Sequence, residues 1–182
     1  MLYTPKCPNC NACISVRIPV EHFSPSRGQK RIWKKNSDIR VEIEEVKFKK
    51  KHFDLYLKYQ QARHPDSTMC DTDPNKYISF IKSNYSKSKF LCMYADNDLI
   101  GISIIDQFEG GISAVYTFFD PEHSHRSLGT YIILYMVKVA RLRKTPYVYL
   151  GYWIDQSSKM SYKRNFKPLE GYIERNWVDL GL

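Results

Sequence analysis

Residues 120–131 read DPEHSHRSLGTY. They follow GISAVYTFF (111–119), a β-branched and aromatic run that reads as a strand. They lead into YIILYMVKVARLRK (131–144), whose apolar residues recur at helical spacing. An acid, a proline, two histidines, an arginine, a serine and a glycine thus sit between a strand and a helix. One reading is a polar turn with an N-cap. The other is a cradle for an anion, because free N–H groups and the helix dipole at a helix start favour negative charge.

Working outward, KFLCMYAD (89–96), LIGISIIDQF (99–108) and ISAVYTFFD (112–120) alternate with short turns at DND and Gly-Gly and predict a three-stranded antiparallel meander. The helix after the motif places Leu128, Tyr131, Ile132, Tyr135, Met136, Val139 and Leu142 on one face. PYVYLGYWI (146–154) is a further strand, and strict alternation puts Tyr149 and Trp153 on one of its faces and Tyr152 on the other. QSSKMSYKRNF (156–166) is a short helix or an irregular segment. Upstream, CISVRIPVEHF (13–23) reads as a strand and SPSRGQKRIWKKN (24–36) as a loop with a short helical turn. Residues 43–64 form a helix, or a strand end followed by one. HPDSTMCDTDPN (64–75) is rich in breakers, and PNKYISFIKSNY (74–85) is a helix with proline near its start. A strand that feeds a helix returning to a neighbouring strand places the 120–129 loop at the carboxyl end of the sheet, where ligands bind in open α/β sheets.

The chain has 182 residues, 43% of them apolar, enough for one folded body with a real core. Neither a membrane-length apolar run nor a signal-peptide core is visible, so a cytoplasmic protein is expected. The formal charge is +9, and the excess is clustered. Residues 25–36 carry Arg27, Lys30, Arg31, Lys34 and Lys35 with no acid. Residues 47–52 add four lysines, and Lys159, Lys163, Arg164 and Lys167 follow near the end. Clustered basic charge points to a polyanion such as nucleic acid, or to a solvated face.

Five cysteines in a chain without a signal argue against a disulfide framework. Cys70 and Cys92 stand alone. Cys7, Cys10 and Cys13 form C-x-x-C-x-x-C, a spacing that suits zinc or an iron–sulfur cluster. No fourth ligand is obvious, His22 being a weak candidate, and the alternative is a reduced cluster packing a tight turn.

The order of helices, meander, glycine-containing loop, helix and strand resembles the GNAT acyltransferase fold: α+β, a mostly antiparallel sheet flanked by helices. In that fold the loop before the central helix binds the phosphates of an acyl donor. Three longer stretches sharpen the resemblance: CPNCNACISVRIPVEHFSPSRGQKR (7–31), GISAVYTFFDPEHSHRSLGTY (111–131) and YLGYWIDQSSKMSYKRNFKPLE (149–170), with ARHPDS (62–67) in support. They resemble the aminoacyl-tRNA–protein transferases of the N-degron pathway, the bacterial aspartate/glutamate leucyltransferase type more than the related arginyltransferases. The resemblance covers essentially the whole chain and divides it into a 1–40 remnant of an N-terminal domain and a 41–182 GNAT-like catalytic domain.

That resemblance implies a reaction. The α-amino group of a protein beginning with Asp or Glu attacks the ester carbonyl of an aminoacyl-tRNA, and the product is marked for degradation. Leucine is the favoured donor residue and arginine the alternative. The basic clusters then serve the tRNA. The roles it implies are orientation or deprotonation of the amine by Asp120 and donation near the oxyanion by Ser127. Arg126, Gly129, Tyr131, Tyr149 and Lys159 would meet the donor. Arg27, Lys30, Arg63 and Lys163 are the candidates for the acceptor's acidic side chain. No cofactor is needed for the chemistry. Members of the family carry a segment with another cysteine pair before CPNCNAC, so a metal centre at Cys7, Cys10 and Cys13 would be incomplete in this sequence. Two other readings stay open: a GNAT enzyme using acetyl-CoA, and a tRNA- or N-degron-binding protein without turnover.

Overall fold

The computed structural model describes residues 10, 12–63, 72–81 and 87–182. Eight strands form one sheet in the order β2-β3-β4-β5-β6-β1-β7-β8. The strands are β1 Ile14–Pro19, β2 Ile39–Glu45, β3 Lys87–Ala95, β4 Asp98–Phe108, β5 Gly111–Phe119, β6 Tyr147–Trp153, β7 Glu170–Ile173 and β8 Asn176–Asp179. The helices are α1 Arg27–Lys35, α2 Lys50–Arg63, α3 Pro74–Ile81 and α4 Leu128–Leu142, with 3-10 helices at Pro121–Arg126 and Ser161–Asn165. The fold is α+β and GNAT-like, as expected. No described helix is long and apolar enough to cross a membrane.

The two faces of the sheet bury different cores. Val16, Ile18, Ile100, Ile112, Val148 and Leu150 pack under α1 and α4. Phe90, Cys92, Ile102, Ile104 and Phe118 pack under α2 and α3 with Phe53, Tyr56 and Tyr77. Phe118 is fully buried, and a side chain of that size contributes about 2–3 kcal/mol of transfer free energy. Residues 14–40 supply β1, α1 and the start of β2 to this same body.

All strand pairs are antiparallel except β5 with β6. That parallel pairing runs only from Gly111–Ser113 against Tyr147–Tyr149. Beyond it β5 stays with β4 as far as Phe119, and β6 stays with β1 as far as Trp153. The two strands therefore part towards their carboxyl ends and leave a wedge in the sheet. Gly111 fixes the closed end: at φ +154° its backbone passes so close to β6 that a Cβ would lie 2.3 Å from the Tyr147 carbonyl oxygen.

Three expectations change, and one element had none. Residues 27–35 are a helix, because Ser26 and Gln29 form a capping box: the Gln29 N–H donates to Ser26 Oγ at 3.2 Å and the Ser26 N–H to Gln29 Oε1 at 2.8 Å. A β-bulge interrupts β6, where Val16 pairs with Gly151 and Arg17 with Tyr149, so Leu150 is extra. Gly151 takes φ +71° to allow it. Trp153 consequently joins the α4-side core with Val148 and Leu150, and Tyr149 faces the other way, beside Arg17. On α4, Leu142 is 75% exposed while Ile133, Leu134 and Val137 are buried, because α1 and the sheet enclose more of the helix than one stripe. Finally, the β7–β8 hairpin was hidden because its turn is Glu174-Arg175, both at positive φ (48° and 65°), where Asn-Gly would announce it.

Candidate active site at the mouth of the wedge

The carboxyl ends of β5 and β6 collect most of the polar chemistry. Asp120 ends β5. Its N–H donates to the Ile100 carbonyl at 2.9 Å, and its side chain accepts from the Glu122 N–H at 3.0 Å, capping the 3-10 helix whose first residue is Pro121. Lys58 of α2 reaches across with its Nζ 2.9 Å from the Asp120 carboxylate and 2.7 Å from Glu122. Burial would raise the Asp120 carboxyl, but the Lys58 ammonium and the Glu122 N–H hold it below its ordinary value. It is an ionised, anchored carboxylate.

The other side of the same loop is tied to the α1–β2 corner. Lys35 Nζ donates to the His125 carbonyl at 2.6 Å and Asn36 Nδ2 to the Arg126 carbonyl at 2.9 Å. The Arg126 guanidinium pairs with Asp38 at 2.9 Å. Held from both sides, the loop delivers Ser127 in the left-handed region (φ 55°, ψ 45°) at the start of α4. The Ser127 carbonyl takes the N–H groups of Thr130 and Tyr131, both at 3.0 Å. Leu128 and Gly129, at the first turn, have no intrahelical acceptor for theirs. A Cβ on Gly129 would meet nothing within 4 Å, so space lies open above this turn.

The 3-10 helix Ser161–Asn165 crosses the mouth. At one end Tyr162 lies beside Tyr59 of α2. Tyr162 is 38% exposed as a residue, yet burial and then Tyr59 push its phenol up to about 12, so the hydroxyl end is the shielded one. At the other end the Asn165 carbonyl accepts from Gln29 Nε2 of α1 at 3.0 Å. Between them Lys163 is 9% exposed and its Nζ donates to the Tyr152 carbonyl at the end of β6, 2.5 Å away. Burial alone pushes its ammonium down to about 8. No described ion pair involves Lys163. The Tyr59 ring packs at a tilt against Phe119, centroids 5.1 Å apart, and burial raises its phenol against the opposing effect of Arg63.

The wedge therefore brings together Asp120, Arg126, Ser127, Gly129, Arg63 and Lys163 of the residues the sequence singled out. Lys159 lies just ahead of the crossing helix and is exposed. Four others lie elsewhere. Tyr131 is buried against Trp33, with ring centroids 5.4 Å apart. Tyr149 sits at the closed end of the wedge, packed on Phe108 and Trp177. Arg27 and Lys30 are exposed on α1; Lys30 lines a groove of about 420 Å³ with Trp33, Leu134, Lys138 and Arg141, along the second half of α4. Lys58, Tyr59 and Tyr162 were not foreseen. Only Tyr162 had a signal, its place inside KMSYK.

Cys7 and residues 64–67 of ARHPDS lie outside the described residues. Cys10 is exposed and Cys13 half-buried, both free thiols. Among the described residues neither belongs to a group of three metal-ligating side chains, so the fit of a metal centre there rests on Cys7 and is not carried by what surrounds Cys10 and Cys13.

Comparison with known proteins agrees with this architecture. The model for the C terminus of arginine-tRNA-protein transferase matches residues 51–173, and that for its N terminus matches residues 1–31. An aspartate/glutamate leucyltransferase of Hahella chejuensis is 43% identical over 98% of this chain and 76% of its own length. That of Nitrosococcus oceani is 45% identical over 97% and 75%. Among solved structures, L-PGS from Bacillus licheniformis superposes with a TM-score of 0.64 at 11% identity, covering 88% of this chain and 58% of that one, which is a likeness of fold. A wedge closed by Gly111, floored by the anchored 120–129 loop and crossed by Lys163 is thus carried on a sequence matched along nearly its whole length: the chain belongs to the arginine-tRNA-protein transferase family and is an aminoacyltransferase.

Proposed function

We propose that the wedge joins leucine from leucyl-tRNA to proteins that begin with Asp or Glu, with Lys163 as the group that reads the acidic side chain. The observation that carries this is the buried Lys163 ammonium with a carbonyl beside it and no described carboxylate partner. A buried cation without a counter-charge is costly. An incoming Asp or Glu side chain supplies that charge, whereas Asn or Gln of similar shape does not. Arg63, exposed at the end of α2, is the second cation on that side of the wedge.

The donor end follows from the helix start. The free N–H groups of Leu128 and Gly129, with the dipole of the 15-residue α4, favour the terminal phosphate or the oxyanion formed at the ester carbonyl. The acceptor nitrogen attacks that carbonyl carbon and loses a proton. The ester C–O bond breaks, and the ribose oxygen takes up a proton as tRNA leaves. An aminoacyl ester is already activated, so the chain's work is to position the two reactants. Asp120, engaged by Lys58 and Glu122, keeps the loop in place for this. Leucine is preferred over arginine because the Hahella and Nitrosococcus relatives, matched along nearly the whole chain, are aspartate/glutamate leucyltransferases.

The test is transfer of label from leucyl-tRNA and, separately, arginyl-tRNA to a peptide beginning with Asp, with an Ala-initiated peptide as control. Asp-dependent transfer from leucyl-tRNA is expected. Transfer from arginyl-tRNA alone would reassign the donor, and retention of tRNA without transfer would favour a binding protein. Degradation of the tagged product is the downstream expectation, checked by the half-life of an Asp-initiated reporter with and without the protein.

A further inference from the structure

On the α2/α3 side of the sheet, at the edge away from the wedge, three dissimilar side chains converge. Glu44 comes from β2, Cys92 from the neighbouring β3, and His52 from the first turn of α2. Their ligand atoms all lie within 4.8 Å of one another. His52 and Cys92 are 0% exposed. Among the described residues neither ring nitrogen of His52 has a hydrogen-bond partner, although buried polar groups are nearly always paired. Its Nε2 stands 3.7 Å from Glu44 Oε2. That is too long for a hydrogen bond and close to the edge, about 3.3–3.6 Å, of a tetrahedron of oxygen, nitrogen and sulfur around zinc.

We propose that Glu44, His52 and Cys92 form a binding site for a divalent cation of the zinc class. Thiolate, imidazole and carboxylate are a zinc donor set, and the buried thiol selects against calcium and magnesium. Three protein donors leave one position for water, which reaches the site past Glu44, whose side chain is 16% exposed. On binding, the Cys92 thiol gives its proton to solvent. Lys49 competes, since its Nζ now sits 2.5 Å from Glu44 Oε2. It is a surface side chain, 43% exposed, that metal would displace into water. The site would pin the start of α2 to β2 and β3. Because α2 carries Lys58 and Tyr59 to the wedge, its role is to hold that helix rather than to enter the reaction.

The other thiols must be silenced to test this. In the full chain with Cys7, Cys10, Cys13 and Cys70 changed to Ser, Co2+ should bind in a one-to-one ratio and give a thiolate-to-cobalt charge-transfer band with tetrahedral d–d intensity. Cys92→Ser should abolish the band. Glu44→Gln should weaken binding by about tenfold or more, and Lys49→Ala should tighten it. Both of the latter change partly exposed side chains, with folding checked by circular dichroism. Zn2+ should raise the melting temperature of the four-serine protein and not that of its Cys92→Ser form. Absence of the band, a band that survives Cys92→Ser, or affinity unchanged in both Glu44→Gln and Lys49→Ala would overturn the proposal.

Discussion

Lys163 Nζ donates to the Tyr152 carbonyl across the mouth of the β5–β6 wedge, 2.5 Å away. This contact joins the last residues of β6 to the 3-10 helix that spans the opening, and it keeps the Lys163 ammonium buried.

The contact has a stability consequence. Burial lowers the Lys163 pKa from 10.5 to about 8, so at neutral pH the folded protein carries a charge it would rather shed. Lys163→Met removes that penalty and forfeits one hydrogen bond. The net effect expected at pH 7 is a stabilisation of about 1–3 kcal/mol, seen as a melting temperature several degrees higher. The sign runs with pH: the wild-type penalty is full below about pH 8 and fades as pH rises towards 10.5. Melting curves of the two proteins should therefore converge above pH 10.

On the proposed reading of Lys163, the same titration sets acceptor choice. Lys163 must be protonated to pair with a carboxylate. The acceptor's own α-amine must be neutral to attack, and it titrates at about 8 as well. Taking the ratio of kcat/KM for Asp- and Asn-initiated peptides cancels the amine. That ratio should be high at pH 7 and fall as pH passes through 8. A ratio flat from pH 6.5 to 9.5 would mean that another group reads the acid.

Gly111 should be intolerant of any side chain. Gly111→Ala places a methyl 2.3 Å from the Tyr147 carbonyl in a backbone conformation that L residues avoid. A loss of about 2–4 kcal/mol is expected, read by urea denaturation, because the strands must separate at the point where they still pair.

Gly129 should behave oppositely. It faces open space at the helix start. Gly129→Glu should leave the melting temperature unchanged or slightly raised, since an acid suits that end of the helix dipole and glycine is a poor helix former. The same change should raise KM for aminoacyl-tRNA about tenfold or more, with KM for the peptide unaltered. Parallel increases in both would show that the helix start does not hold the donor.

Much of this was legible in the chain. The meander, the 120–129 loop and α4 follow from alternation, turn residues and helical spacing, because each is specified by its own neighbours. The wedge was not legible: it depends on where β5 and β6 stop pairing, a tertiary property recorded locally only by Gly111. The bulge at Leu150 reversed the face assigned to Trp153, since strict period-two counting cannot see an inserted residue. Lys58 and Tyr59 look like ordinary helix surface until α2 is laid beside Asp120 and Phe119. Lys163 was among several basic candidates, and burial singled it out.

The most direct test of the central claim is acceptor discrimination. Measure kcat/KM at pH 7 with leucyl-tRNA for peptides that differ only in Asp or Asn at the first position, for wild type and Lys163→Met. The wild type should favour Asp by about 10²–10³-fold, the usual scale for a buried charge pair. The variant, folded and at least as stable, should favour it by little or nothing. Asp preference undiminished in Lys163→Met would contradict the assignment of Lys163 to the acceptor's acidic side chain.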